Sequence, residues 1–273
     1  MNSIREFICY NQKEIIRFEY TISQLHKSFK ESFLKKSFDV EAKYSDLIVE
    51  SFMLMEKIFS KNLEFIKNTY GMYDENIRVT IKMVENDEVI DIFRSHYNED
   101  LIFSSAKIEE NTGFKYILSG KDIYYLNDDI EESFIKGEYQ NPRLDNSLRE
   151  KLIKKEISWK NCWKQYKDNI NDYYNSTLII PMSITTDNEN KDTIFYRNFF
   201  EKNDNSKLNT KERIIWGFFC LDSKQKNFFT NISTFDPIDL GFIITDILSL
   251  YLIFFYNYTS ASETVNKYLK EIE

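Results

Sequence analysis

The apolar positions at the start of the chain fall into a helical rhythm. Ile4, Ile8, Asn11, Ile15, Phe18, Ile22, Leu25 and Phe29 are spaced alternately by four and three, a heptad seam of about four repeats. Asn11 sits in that seam, where a polar residue commonly sets register. Lys35-Lys36-Ser37-Phe38-Asp39 interrupts the pattern. A second helix follows, with Tyr44, Ile48, Phe52, Met55, Phe59, Leu63 and Ile66 on one face, ending near Gly71. Met and Phe at helical spacing are ordinary core residues.

The period then shortens to two. Ile77, Val79, Ile81 and Met83 alternate with Arg78, Thr80 and Lys82, the pattern of a half-buried strand. Glu85 to Glu88 make a polar turn, and Val89, Ile90, Ile92 and Phe93 form the return strand of a hairpin. Asn111-Thr112-Gly113 opens a short helix that Gly120 closes. A short strand, Ile123 to Leu126, leads to Asn127-Asp128. The polar stretch from Glu138 to Asn175 predicts a helix around Leu148 to Tyr166. Ser176 to Ile184 and Arg213 to Asp222 predict two further strands, and Thr193 to Phe200 a strand or hairpin arm between them. Asp236-Pro237-Ile238-Asp239 starts a closing helix that runs to about Lys270. Helices, hairpin, mixed crossing region, strand pair and helix together predict an α+β arrangement.

Composition narrows the class. Among 273 residues, 42% are apolar and 16% aromatic, with six Gly and three Pro, so the chain has ample material for a core and few linkers. The formal charge is −8, against a nucleic-acid partner. Arg149, Lys151, Lys154, Lys155, Lys160, Lys164 and Lys167 are interleaved with Trp159, Trp163 and Tyr166. This segment is read as a solvated helix face with its aromatics turned inward. Cys9, Cys162 and Cys220 are far apart and odd in number, which predicts no disulfide framework or zinc site and fits a reducing cytoplasm. Arg5, Glu6, Lys13 and Glu14 interrupt any signal peptide. Leu240 to Tyr256 is apolar enough to raise a membrane span, but Asp246 within it favours a buried core helix, so no membrane partner is expected.

Recognisable catalytic patterns are missing. The sequence contains no G-x-S-x-G, P-loop, G-x-G-x-x-G or H-E-x-x-H. Its two histidines, His26 and His96, stand apart. The chain is therefore expected not to be an enzyme, and to use neither metal nor cofactor. The crossing region is more suggestive: Phe114, Tyr116, Tyr124-Tyr125 and Asn127-Asp128, then Tyr139-Gln140-Asn141-Pro142-Arg143 and Tyr173 to Ser176. Rings beside amides, a carboxylate and an arginine suit a planar polar ligand. The same Tyr and Asn residues also suit plain loop filling in an Asn- and Tyr-rich chain.

The strand reaching "IPM" (Ile180-Pro181-Met182), the strand "WGFFCLDS" (Trp216 to Ser223) and the closing helix resemble the GAF family of small-molecule sensor domains. Gly217 and Pro181 stand where that family often has glycine and proline. The resemblance spans roughly Asp39 to Glu273, leaving residues 1–38 as a helical appendage and candidate dimerisation coil. It implies a central antiparallel sheet of five to six strands flanked by helices, and a pocket between sheet and crossing segments. The chain lacks the cyclic-nucleotide signature, a cysteine placed for bilin attachment, and the cysteine cluster of the methionine-sulfoxide-reducing members.

The function so implied is a cytoplasmic, homodimeric, non-enzymatic sensor for a small molecule, a nucleotide or another planar polar ligand. It would signal through its terminal helices to an effector protein. Its expected ligand contacts are Arg94, Phe114, Tyr116, Tyr124, Asp128, Tyr139, Asn141, Arg143 and Ser176. The alternative is a ligand-free dimeric scaffold of the same fold. Whether the first helix pairs with a twin or folds back is open.

Overall fold

The computed structural model describes residues 2–34, 40–73, 76–85, 87–95, 105–164, 173–185 and 213–272; the strand expected within Thr193 to Phe200 lies outside them. The chain divides into two compact units, Met1–Phe65 with Asp246–Glu273, and Ile66–Thr245.

The second unit is built on a sheet. Among the described residues it has six strands: β1 (Arg78–Glu85), β2 (Glu88–Arg94), β3 (Ser105–Lys107), β4 (Tyr125–Asn127), β5 (Ser176–Thr185) and β6 (Arg213–Ser223). Their order is β3-β2-β1-β6-β5-β4, with every neighbouring pair antiparallel. With α1 (Asn2–Leu34), α2 (Val40–Gly71) and the short crossing helices, this is the expected α+β fold, an antiparallel sheet of six strands among the described residues accompanied by helices.

Two irregularities shape the sheet. On β2, Phe93 pairs with Ile81 but Asp91 pairs with Lys82, leaving Ile92 as an extra residue. Residues 91 and 94 would lie on opposite faces of a regular strand. The bulge puts Asp91 and Arg94 on one face. On β6, Trp216 is the extra residue between the Met182–Gly217 and Ser183–Ile215 pairs.

The crossing segments cover the face carrying Tyr125, Ile179, Phe218 and Cys220. Here α3 (Thr112–Leu118) is capped by Asn111, whose side chain accepts from Gly113 N and Phe114 N at 3.0 and 3.4 Å. A Cβ on Gly113 would come within 2.5 Å of Ile179 Cδ1, so the glycine lets α3 lie close on β5. Asp129 caps α4 (Ile130–Lys136) through Glu132 N, and Gly137 ends it at φ +79°.

The helix expected from Leu148 to Tyr166 is replaced by shorter pieces: a 3₁₀ turn at Asn146–Leu148, α5 (Arg149–Ile153) and a 3₁₀ turn at Trp159–Cys162. Lys155 takes φ +58°, which stops α5. Ser158 and Asn161 then form a capping box for the next turn. Trp159 and Trp163 are buried, as expected of the aromatics in this segment.

In the first unit, Phe7, Asn11, Phe18, Ile22 and Phe29 are each at most 2% exposed. Asn11 and Asn62 exchange side-chain hydrogen bonds at 2.9 and 3.0 Å, and Tyr251 Oη donates to Asn11 Oδ1 at 2.8 Å. Tyr251 belongs to α6 (Pro237–Ile272). Phe18 and Phe59 both meet its ring edge-on. The stripe carrying Asn11 is thus covered by the chain's own helices and, in this conformation, is not free for a twin. Among the described residues one stretch, Pro237–Phe255, is long and apolar enough to cross a membrane. Its Leu240, Ile244, Leu248, Tyr251 and Leu252 are buried in the protein.

Candidate functional site

The covered face of the sheet is apolar on one side and polar on the other. Opposed residues of an antiparallel pair share a face, so the registers can be read across. One row runs Asn127, Thr177, Asp222, Arg78; the next Tyr125, Ile179, Cys220, Thr80, Arg94; the third Phe218, Lys82, Asp91. The β4–β5–β6 half takes Phe114, whose ring lies 4.7 Å from that of Phe218. The β1–β2 half instead presents Arg78, Thr80, Lys82, Asp91 and Arg94.

These polar groups are substantially enclosed. The Asp91 side chain is 2% exposed and is gripped by both Lys82 and Arg94. Burial pulls the Lys82 ammonium down to about 8; Arg94 and Arg143 push the same way, while Cys220 and Asp222 oppose. Thr177 Oγ1 donates to Asp222 Oδ1 at 2.7 Å. Burial still raises the Asp222 pKa above the ordinary carboxylate range, outweighing Thr177, Arg78, Lys82 and Arg143, which lower it.

The loop after α4 completes the arrangement. Asn141 Nδ2 donates to Tyr174 Oη at 2.8 Å, and the Tyr139 and Tyr174 hydroxyls lie 3.2 Å apart. Burial raises both phenols well above the usual tyrosine value, so they remain neutral hydroxyls. Asn141 Oδ1 accepts from Arg143 N at 2.9 Å, and the Arg143 guanidinium lies 5.6 Å from the centre of the Trp163 ring.

Of the nine expected contacts, Tyr139, Asn141 and Arg143 come together here, and Arg94 stands on the polar half of the sheet. Phe114 and Tyr116 belong to the adjoining apolar packing, with the Tyr116 ring 5.5 Å from Tyr125. Tyr124 meets Phe242 edge-on. Asp128 spends its carboxylate on Phe229 N and Thr230 N, at 3.1 and 2.8 Å. Ser176 donates to the Asp128 and Gln225 carbonyls. Both are tied into the turn after β6. Lys82, Asp91, Thr177 and Asp222 were not among the expected contacts. The signal for Lys82 was the Arg78-Thr80-Lys82 alternation, which reads as a solvent face and is in fact largely covered. Among the described residues no group of three or more His, Cys, Asp or Glu could hold a metal ion.

Asp222 gives a testable sign. Its folded pKa exceeds its unfolded one, so the folded protein binds the proton more tightly and the ionised carboxylate is a cost. That cost is absent below the ordinary carboxylate pKa, grows as pH rises towards the raised value, and is complete above it. Asp222→Asn should therefore raise Tm at pH values above the raised pKa, by more than the scatter of repeated melts. The gain should vanish below about pH 4. Thermal melts across that range check it, and a lower Tm at pH 7 would show that the neighbouring cations prevail.

No family model and no curated protein sequence matches the chain. Solved structures do show likeness. One is the type II free methionine-R-sulfoxide reductase from Thermoplasma acidophilum, 10% identical, covering 74% of this chain and 96% of its own, with a TM-score of 0.40. Another is a far-red absorbing dark state with bound biliverdin, 13% identical, covering 77% and 97%, at 0.36. A third is the reduced fRMsr of Staphylococcus aureus, 13% identical, covering 74% and 94%, at 0.33. At these values no residue's role transfers to this chain. They do correct one expectation. With a named reductase among the similar structures, this kind of fold does not make the chain a non-enzyme, and that assignment is withdrawn.

Proposed function

We propose that the sheet unit binds a small polar molecule over the β1–β2 half of the covered face. The observation that carries this reading is the enclosed polar strip itself. Interiors normally place apolar side chains there, and burying charges is costly unless something is gained. Strain and desolvation of this kind concentrate at binding and catalytic sites. Arg94, Lys82 and Arg143 orient an anionic edge of the ligand, Asn141 and the Tyr139–Tyr174 pair a neutral one, and Tyr116 and Phe114 flank it. As a sensor, the protein transmits occupancy through α2 and α6, each of which begins in one unit and ends in the other, to an effector protein.

Native mass spectrometry of freshly purified protein, before and after denaturing release, tests the reading. A retained small molecule is expected. Arg143→Ala and Arg94→Ala should each weaken its binding at least about tenfold, by loss of a charge-assisted contact, while the unliganded protein still melts cooperatively. A protein that retains nothing, and whose Tm no candidate ligand raises, overturns it.

A ligand-free scaffold is the second reading. It draws on Ile16 and Tyr20, 68% and 66% exposed and one turn apart on α1, and on Val49 and Met53, 51% and 62% exposed and one turn apart on α2. Exposed apolar pairs of this kind suit a partner helix.

A further inference from the structure

Two cations on the polar half of the sheet share one carboxylate. Asp91 stands opposite Lys82 across the β1–β2 ladder. Its Oδ1 accepts from Lys82 Nζ, and its Oδ2 meets Arg94 Nη2. The Asp91 side chain is 2% exposed, those of Lys82 and Arg94 19% and 26%, so the cluster is enclosed without being sealed. On the other flank of Lys82 the paired residue is Phe218, which is fully buried and offers an ammonium no charge to pair with.

One carboxylate balances one cation, and a second positive charge taken out of water is costly. Arg94 cannot relieve that excess, because a guanidinium keeps its proton at any ordinary pH. Lys82 can. The charged and titratable groups that face it are Asp91 and Arg94 from β2, Cys220 and Asp222 from β6, and Arg143 from the loop after α4. Burial inclines Asp222 to keep its own proton, so it cancels little of the excess. Burial first, then Arg94 and Arg143, bring Lys82 down to about 8. A lysine desolvated beside fixed cations is a nucleophile at neutral pH, where an exposed one is not.

Resting on the ligand-binding reading above, we infer that Lys82 Nζ captures the ligand covalently, as an imine with an aldehyde that also carries an anionic group. Arg94, beside it on the same face, receives the anionic group. An aldehyde suits an enclosed amine because its carbonyl carbon bears one substituent besides hydrogen. The ammonium first passes a proton to Asp91. The amine nitrogen then attacks the carbonyl carbon, and the C=O π pair moves to oxygen, which takes a second proton from nitrogen. Asp91 returns its proton to the resulting hydroxyl, the C–O bond breaks, and water leaves. Nitrogen ends as an iminium with the charge it began with, so Asp91 keeps a cationic partner throughout. Nothing is oxidised or reduced.

The probes are glyoxylate and pyridoxal 5′-phosphate, with glycolate and pyridoxine 5′-phosphate as controls that carry an alcohol in place of the aldehyde. Each is mixed with the whole protein at pH 7 in about equimolar amount and treated with borohydride. Hydride adds to the imine carbon and fixes the adduct, which peptide mapping then locates. At least one aldehyde is expected to label Lys82. At pH 7 this lysine has on the order of a hundredfold more neutral amine than an ordinary one. Its labelling should therefore exceed that of any exposed lysine by at least about tenfold and rise to half its maximum near pH 8. Neither control should label. Lys82→Arg keeps a cation against Asp91 and should abolish the adduct; should that variant not fold, the map of the native protein still decides.

Label spread over exposed lysines with Lys82 untouched overturns the inference, as does failure of both aldehydes to label. A small molecule retained in native mass spectrometry beside an unmodified Lys82 overturns the covalent capture and leaves the ligand reading standing. The ligand reading falls only if nothing is retained and no candidate ligand raises the Tm.

Discussion

Replacing Gly217 with alanine is expected to destabilise the protein by about 3 kcal/mol, lowering its Tm by about 6–12 °C. Gly217 pairs with Met83 of β1 on one side and Met182 of β5 on the other, in the middle of the sheet. A Cβ there would stand 2.4 Å from the Lys82 carbonyl oxygen and 3.6 Å from Met83 Cα. Both are backbone atoms of a strand paired on its two edges, so neither can turn aside. Gly241 on α6 makes the contrast. Its added Cβ would meet Ile180 Cδ1 at 2.2 Å, the far end of a flexible side chain that can change rotamer. Gly241→Ala should therefore cost clearly less. Melting curves of the two variants decide the matter, and a Gly217→Ala Tm within about 2 °C of wild type would mean that β1 can shift. Because the obstructed carbonyl belongs to Lys82, the same variant should also weaken ligand binding.

The second large effect is expected in the helical unit. Asn11→Leu removes half of a reciprocal amide pair, leaving the Asn62 amide and the Tyr251 hydroxyl facing an apolar side chain. Asn11 also donates to the Phe7 carbonyl at 2.9 Å, a bond lost at the same time. Unsatisfied buried groups cost about 1–3 kcal/mol each, so a loss of about 3 kcal/mol or more is expected in urea denaturation. Asn11→Leu with Asn62→Leu should be less destabilised than the single variant, because the stranded amide is gone. If the double variant simply adds the two single losses, the amides contribute independently and the pairing argument fails.

Much of the architecture is legible in the chain because its signals are short-range. The β1–β2 hairpin follows from strict alternation, α3 from the Asn111 cap, and β5, β6 and α6 from apolar runs bounded by turn residues. The sequence predicts too long a crossing helix because nothing local marks Lys155 for a left-handed turn. β3 was not seen because three residues at a sheet edge carry no period of their own; their partners on β2 define them. The heptad in α1 revealed a stripe without revealing its cover, since Asn62 and Tyr251 are 51 and 240 residues from Asn11.

The site divides along the same line. Tyr139, Asn141 and Arg143 are close in sequence and chemically conspicuous, so they could be picked out. Lys82 could not, because an alternating lysine looks the same whether its face meets water or a covering loop. Asp222 closes a run of hydrophobic residues and reads as a strand end. Asp128 is a carboxylate in the right neighbourhood, but backbone amides from the turn after β6 reach it first. Only the tertiary fold decides between these uses.

The extra residue on β2 shows how little composition matters to this arrangement. Deleting Ile92 would leave every charged group of the hairpin in place and remove only one aliphatic side chain. It would also remove the bulge, and with one residue instead of two between them Asp91 and Arg94 would still share a face of the strand, now a regular one. The charge pair therefore survives in two hairpin lengths, with the extra residue and its bulge or with neither. Relatives of this protein that share the site could differ by that one residue, so long as the bulge comes and goes with it.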